Sequence, residues 1–359
     1  MSKRLMKGNE AVIYGALLGG ATHFFGYPIT PASEIAHAAA TYFTQSGRTF
    51  LQAESEVSSV NMLYGSAAAG ARVMTASSGP GIALMGEGLS YIAGAELPCV
   101  VVDVQRAGPG LGNIWPEQSD YNMVVKGGGH GNYHNFVLAP NSALEMFDMT
   151  RIAFELADTY RITVFVLTDA YIGQMMEAID ISSAVLKGAR KPWALYADKE
   201  SRTNLITSIL MNAKLQQQHN EKLQEKYRRI QEECVQTESI LTEDAEVVFV
   251  AYGICSRICI SAVRLLRKAG IKAGILRPKT LFPFPKEELA ALIGDRHGRI
   301  GEKTFIAVEL SEGMMADDVE LALRGNARVL RYTWLGGVVP SVNEIVQGVQ
   351  EDCTEGAIR

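Results

Sequence analysis

Apolar and polar positions along this chain repeat in two periods, about 2 for strands and about 3.6 for helices. Residues 51–104 read strand, helix, strand, helix, strand. An acidic strand end, Glu54-Ser55-Glu56, passes into a small-residue helix over 57–70. A short strand at 72–75 leads to the Gly/Ser-rich turn Ser77-Ser78-Gly79-Pro80-Gly81, then a helix over 82–95 and the apolar strand 99–104. This alternation predicts an α/β fold, a mostly parallel sheet with helices on both faces, whose ligands bind where strands end. Upstream, small and apolar residues at helical spacing predict one helix over 6–25, ended by Gly26-Tyr27-Pro28-Ile29-Thr30-Pro31. Each proline restricts the residue before it, so Thr30 is expected on a stiff extended loop, or in an ordinary strand-to-helix turn. Downstream, an amphipathic helix over 141–160 leads to a strand at 163–168, closed by Asp169-Ala170-Tyr171.

The pattern changes after residue 184. Residues 212–238 are charged, Gln-rich and poor in strand formers, which predicts an exposed helix that connects domains or makes a subunit contact. Strands then follow at 247–252, 271–277 and 304–309, with helices over 256–269, over 286–294 and through 323. The expected organisation is a first α/β domain at 1–184, a helical connector at 185–243 and a smaller α/β domain at 244–359.

With 359 residues, two domains are the natural division. A net charge of −5, without a basic cluster interleaved with aromatics, argues against nucleic acid. Neither a run of eighteen apolar residues nor a signal core follows Met1-Ser2-Lys3-Arg4, so no membrane span is expected and the cytoplasm is the expected location. The five cysteines, at 99, 234, 255, 259 and 353, form no disulfide framework. They also lack the short spacings that hold an iron–sulfur cluster, so no cluster and no metal site is expected on this chain. Neither GxGxxG after a strand nor GxxxxGK[ST] occurs.

Candidate chemistry gathers at the strand ends. Glu54 and Glu56 either face a ligand or are first-turn acids favoured by the helix dipole. Arg106 follows an apolar strand directly, within Gln105-Arg106-Ala107-Gly108-Pro109-Gly110. There it either takes a carboxylate through two parallel hydrogen bonds or pairs structurally with Glu54 or Asp103. Gln118-Ser119-Asp120 precedes Lys126-Gly127-Gly128-Gly129-His130-Gly131, where His130 and the nearby His134 are candidate wall residues.

Taken in order, these segments resemble the 2-oxoacid:ferredoxin oxidoreductases. The matching motifs are the 26–31 loop, Gln52-Ala53-Glu54-Ser55-Glu56, the turn from Thr75 to Gly81, and Arg106 with its glycines. The likeness is to the α-type subunit carrying the pyrimidine-binding domain for thiamine diphosphate. It continues through Val250-Ala251-Tyr252-Gly253 and the run from Arg277 to Pro285, which look like a transketolase C-terminal-like module. The resemblance implies that Glu56 holds N1′ of the aminopyrimidine, with Glu54 as the second candidate. It also implies that Ile29, Thr30, Ser78 and Gly79 contact the cofactor, and that Thr30 and Arg106 bind the substrate's carboxylate. The Gly-Asp-Gly motif that carries Mg²⁺ and the diphosphate is absent, and Gly294-Asp295-Arg296 does not replace it. The family therefore implies a partner β subunit with the diphosphate site and a 4Fe-4S cluster, and a small ferredoxin-like subunit with further clusters. Coenzyme A and ferredoxin are the implied co-substrates of a hetero-oligomer, with a dimer of heteromers one option. The Lys7-Gly8-Asn9-Glu10 opening, Ser55 between the two glutamates and the 126–131 loop look most like 2-ketoisovalerate enzymes. The 2-oxoglutarate enzymes come next, and these would need a second cation such as Lys126 or His130. Two other classes fit the same pattern: a non-redox transketolase-type subunit, and a non-catalytic small-molecule-binding α/β protein.

Overall fold

The structure is a computed structural model and describes residues 3–293, 303–356 and 358. Gly294-Asp295-Arg296 and the predicted end of the 286–294 helix fall outside the described residues.

Elements alternate from the start: β1 (Lys3–Lys7), α1 (Gly8–Leu18), β2 (His23–Gly26), α2 (Ser33–Gln45), β3 (Thr49–Gln52), α3 (Glu56–Ala68), β4 (Val73–Ser77), α4 (Gly79–Gly94) and β5 (Cys99–Gln105). They continue with α5 (Tyr121–Val125), β6 (Phe136–Leu138), α6 (Ala143–Tyr160), β7 (Thr163–Asp169), α7 (Ala170–Gln174) and β8 (Met176–Asp180). The long helix α8 (Ala213–Glu233) follows, then β9 (Thr237–Ile240), β10 (Val247–Val250), α9 (Gly253–Lys268), β11 (Ala273–Pro278), β12 (Thr280–Phe282) and α10 (Lys286–Ala291). The chain ends with β13 (Thr304–Glu309), α11 (Met314–Leu323), β14 (Arg328–Thr333) and α12 (Val342–Thr354).

Two large sheets organise these elements, beside a two-stranded antiparallel sheet of β1 and β8. A seven-stranded sheet has the order β12-β6-β7-β5-β4-β2-β3, parallel except for the β12 edge. A five-stranded sheet has the order β14-β13-β10-β11-β9, parallel except for the β9 edge. Strands β4, β5 and β7 are buried along their whole length, as a parallel sheet covered on both faces requires. The predicted α/β architecture is therefore present, including the second, smaller sheet.

Several boundaries differ from the pattern. Residues 6–25 are not one helix: α1 stops at Leu18, and His23–Gly26 is a strand between β3 and β4. Gly20 takes φ +77, which turns the chain out of the helix. A short apolar run fits either period, and pairing with two neighbours decides for the strand. The predicted 212–238 helix is shorter, because 237–240 pairs antiparallel with β11. The aromatic 281–285 segment contributes β12 to the edge of the other sheet through pairing with β6.

Buried polar side chains join the two sheets. Gln118 donates to the Tyr252 carbonyl at 3.1 Å and accepts from the Leu310 amide at 2.9 Å. Asp169 caps α7 by accepting from Tyr171 and Ile172, and its other oxygen accepts from the Ile254 amide of α9 at 3.0 Å. Arg277 of β11 forms a two-pronged pair with Glu145 of α6, at 2.6 and 2.7 Å. Its Nε lies 2.9 Å from Glu238 but is not aligned for a hydrogen bond.

Candidate active site

The strand ends of β2, β3, β4 and β5 place their following loops around one region. Ser55 caps α3 by accepting from the Ser58 amide, which puts Glu56 in the first turn and inward. Glu56 is buried, whereas Glu54 is exposed and accepts from the Ser58 hydroxyl. The Glu56 carboxylate lies against α4, where a Cβ on Gly81 would overlap Ser77 Oγ and come within 2.5 Å of Glu56 Oε1. The hydroxyls of Ser77 and Ser78 are buried without a hydrogen-bond partner, although Ser78 occupies the cap position of α4. A buried carboxylate, two free hydroxyls and a glycine-opened helix end form a cradle that fits a flat polar ring.

Across from it stands the 26–31 loop. Thr30 is exposed and its Oγ1 is 3.4 Å from Ser33 Oγ; Ile29 is half-buried on the core. Asn9 braces this loop by donating to the Pro31 carbonyl at 3.0 Å and to Glu34 at 3.2 Å. Lys7 donates to the same Glu34 at 2.7 Å, which gives the 7–10 opening a structural task beside the loop.

Arg106 ties the 26–31 loop to the glycine-rich loop that follows β5. Its Nη1 donates to the Thr30 carbonyl at 2.7 Å and its Nη2 to the Leu111 carbonyl at 3.1 Å. Nε is buried without a partner, and among the described residues no carboxylate forms an ion pair with this guanidinium. The alternative pairing with Glu54 or Asp103 is thus not formed. A cavity of about 820 Å³ opens beside Arg106, lined also by Gly79, Gly108, Glu117, Asp120 and Met314. Glu117 holds its rim, accepting from the Gly108 amide at 2.9 Å, from Ser119 Oγ at 2.8 Å and from the Gly336 amide at 2.6 Å.

Lys126 and His130 lie elsewhere. Lys126 pairs with Asp318, which also accepts from Tyr121 at 2.7 Å, and it lines a separate cavity with His134, Arg228 and Phe282. His130 is exposed, and its carbonyl accepts from Ser90. Residues 26–31, 54–56, 77–81 and 106 converge, while the 126–131 loop does not join them.

Sequence reasoning gave the carboxyl groups around the cavity no role beyond a possible pairing of Asp103 with Arg106. Asp103 is fully buried and Asp120 is 9 % exposed, and they lie within hydrogen-bonding reach of each other. Burial pushes both upward, with Asp120's charge adding to the rise of Asp103, and Asp120 reaches about 7. The available signal was an acid inside the apolar run CVVVDVQ. Glu117 carried no such signal.

No group of three or more metal-ligating side chains is brought together among the described residues, and the five cysteines are free. No helix of the described residues is long and apolar enough to cross a membrane.

This fold and cradle define an α/β protein of the thiamine-diphosphate-binding class. Residues 14–239 match the family described as pyruvate flavodoxin/ferredoxin oxidoreductase, thiamine diphosphate-binding, and residues 245–345 match pyruvate:ferredoxin oxidoreductase core domain II. The chain belongs to the 2-oxoacid:ferredoxin oxidoreductases. It is 52% identical over 98% of its length to the ketoisovalerate oxidoreductase subunit VorB of Methanothermobacter thermautotrophicus, covering 98% of that protein. It is 34% identical to the 2-oxoglutarate synthase subunit KorA of Archaeoglobus fulgidus, over 97% of this chain and 99% of the other. A solved 2-oxoglutarate:ferredoxin oxidoreductase from Magnetococcus marinus, with 2-oxoglutarate, coenzyme A and succinyl-CoA bound, superposes with a TM-score of 0.86 at 28% identity. That match covers 98% of this chain, which spans 65% of the length of the Magnetococcus chain. A split-gene transketolase shares the fold, with a TM-score of 0.57 at 13% identity over 97% of this chain and 98% of that one.

Proposed function

We propose that this chain is the α-type subunit of a complex that oxidatively decarboxylates a 2-oxoacid, with 2-ketoisovalerate the favoured substrate. The balanced reaction joins a 2-oxoacid anion and a CoA thiol into an acyl-CoA thioester, and releases carbon dioxide, a proton and two electrons to ferredoxin. In this reading residues 1–184 form the pyrimidine-binding domain, 185–243 the connector and 244–359 the transketolase C-terminal-like domain. The partner β subunit holds the diphosphate, Mg²⁺ and a 4Fe-4S cluster, a small ferredoxin-like subunit carries the remaining clusters, and the complex works in the cytoplasm.

The observation that carries the reading is the guanidinium of Arg106. A buried cation without a carboxylate partner, anchored by two backbone carbonyls, is receptive to an incoming carboxylate. The Thr30 hydroxyl lies on the loop whose carbonyl fixes that arginine, so one loop positions both groups. Glu56 offers the buried carboxylate that an aminopyrimidine ring needs at N1′, and the family likeness assigns Ile29, Thr30, Ser78 and Gly79 to the same cofactor. Bound thiamine diphosphate supplies the nucleophile and the electron sink; this chain supplies position, charge and exclusion of water. The 52% identity to a ketoisovalerate oxidoreductase subunit favours the branched-chain acid over 2-oxoglutarate. For 2-oxoglutarate, Lys126 or His130 would have to reach the distal carboxylate, and the Lys126 ammonium is engaged by Asp318.

Coexpression with the neighbouring β and small subunits tests this. CoA-dependent viologen reduction with 2-ketoisovalerate should exceed that with 2-oxoglutarate, and Glu56→Ala should abolish it while the complex still assembles. A complex with intact clusters and bound thiamine diphosphate that reduces nothing with any 2-oxoacid would sink the reading.

A further inference from the structure

The cavity beside Arg106 has an acidic wall. Asp103 stands in a strand of otherwise neutral residues, is wholly buried, and neither of its oxygens meets an N–H or hydroxyl donor among the described residues. Asp120 lies before α5 against the start of α4, where a Cβ on Gly79 would come within 2.7 Å of its Oδ1. Its Oδ2 is likewise without such a donor. The two carboxyl groups are in reach of each other, and a carboxyl pair can hydrogen-bond only when one member carries a proton. Two ionised carboxylates buried side by side would repel each other in a medium that screens them poorly.

Asp120 stands in the cavity wall, and Asp103, which does not line the cavity, packs against Asp120. Asp103 is in register with Ser77, so the two share a face of the sheet, and the Ser77 hydroxyl borders Gly81 and Glu56. Asp120 lines the cavity together with Arg106, Glu117 and Glu312. Among the charged groups that face the pair, Glu117 adds negative charge and Arg106 opposes it; Glu312 lines the same cavity, Glu56 and Ser77 both border Gly81, and Asp169 turns toward α9. An arriving carboxylate brings one more negative charge to a wall that already holds several.

We propose that Asp103 and Asp120 share a proton in the wall of the Arg106 cavity and that the pair takes up a further proton when a 2-oxoacid anion binds there. Asp120 is then a positioning residue for the substrate's carboxylate. The inference rests on the reading that Arg106 receives that carboxylate. The sign follows from charge: as pH rises the pair becomes more negative and repels the anion, so binding weakens and binding itself draws in a proton.

Anaerobic calorimetry on the assembled holo complex tests this, with 2-hydroxyisovalerate as the probe because it keeps the carboxylate and has no keto carbon to react. Titration in buffers of different ionisation enthalpy should show net proton uptake near neutral pH, lost in Asp103→Asn, where an amide donor holds Asp120 ionised at one constant charge. In parallel, KM for 2-ketoisovalerate should rise through neutrality by up to about tenfold per pH unit in the wild type and stay flat in Asp103→Asn. Binding without proton uptake and a wild-type KM independent of pH would overturn the inference even if Asp103→Asn fails to assemble. Should 2-hydroxyisovalerate not bind, the KM profile decides alone. An Arg106→Leu complex with unchanged KM would instead overturn the carboxylate role of Arg106.

Discussion

Gly81 has no side chain, and the space a Cβ would take belongs to Ser77 and Glu56. The residue lies in the first turn of α4, where alanine is a better helix former by roughly 0.5–1 kcal/mol. Gly81→Ala should therefore cost catalysis without a matching loss of local helix stability. The added methyl must displace the Glu56 carboxylate or the Ser77 hydroxyl. The apparent affinity for thiamine diphosphate should fall by about tenfold or more, read by reconstituting the complex with cofactor. Glu54 and Glu56 separate by the same logic. Glu54 is exposed on the Ser58 hydroxyl, so Glu54→Ala should leave most activity, whereas Glu56→Ala should leave none. Equal losses from the two substitutions would mean that burial does not distinguish them.

Among the elements, helix α6 and strand β11 are held together by charge. Burial alone would raise Glu145, but the two hydrogen bonds and the charge of Arg277 outweigh it and hold the carboxyl at about 2, against an ordinary value of 4.5. A depressed pKa contributes stability that is present above the ordinary value and lost as pH falls toward the folded one. The contribution is about 3 kcal/mol, disappearing between pH 4.5 and about 2. Denaturant midpoints at pH 7 and pH 3 should therefore differ less in Glu145→Gln than in the wild type. Asp169 has the opposite sign: burial raises it from 3.8 to about 6, offset in part by amide donors including Ile254. Its ionisation costs stability as pH rises through that window, so Asp169→Asn should flatten the fall between pH 4 and 6. Equilibrium unfolding across that range reads it directly.

At the scale of the whole molecule, the cavity beside Arg106 depends on both large sheets. Glu117 fastens the glycine loop after Arg106 to the Gly336 amide beyond β14, and it is 3 % exposed. Glu117→Gln offers one acceptor oxygen where two were used, leaving an amide on one side unsatisfied at a cost of about 1–3 kcal/mol. KM for the 2-oxoacid should rise by about tenfold with a smaller change in kcat, because in the proposed function this loop follows the arginine that takes the substrate's carboxylate and carries none of the reacting groups. Beside this loop the surface stays apolar: Leu111, Ile114 and Trp115 are each more than half exposed, next to Thr30 and Tyr171. Such a face suits the partner subunit of the proposed complex.

Local sequence determined the repeating strand–helix units, the glycine-opened turn at 77–81, the stiff loop at 26–31 and Arg106 at a strand end. Each is a matter of period, backbone freedom or an adjacent residue, and these are encoded where they act. Tertiary structure alone decided the rest. That His23–Gly26 is a strand depends on neighbours β3 and β4, and that Thr280–Phe282 crosses to the other sheet depends on β6. That Glu56 rather than Glu54 turns inward follows from the Ser55 cap and the space left by Gly81. Asp103 meets Asp120, and Glu117 meets Gly336, only because the chain returns from 17 and 219 residues away. A charge acquires its pKa and its role from whatever the fold packs around it, and those neighbours are distant in sequence.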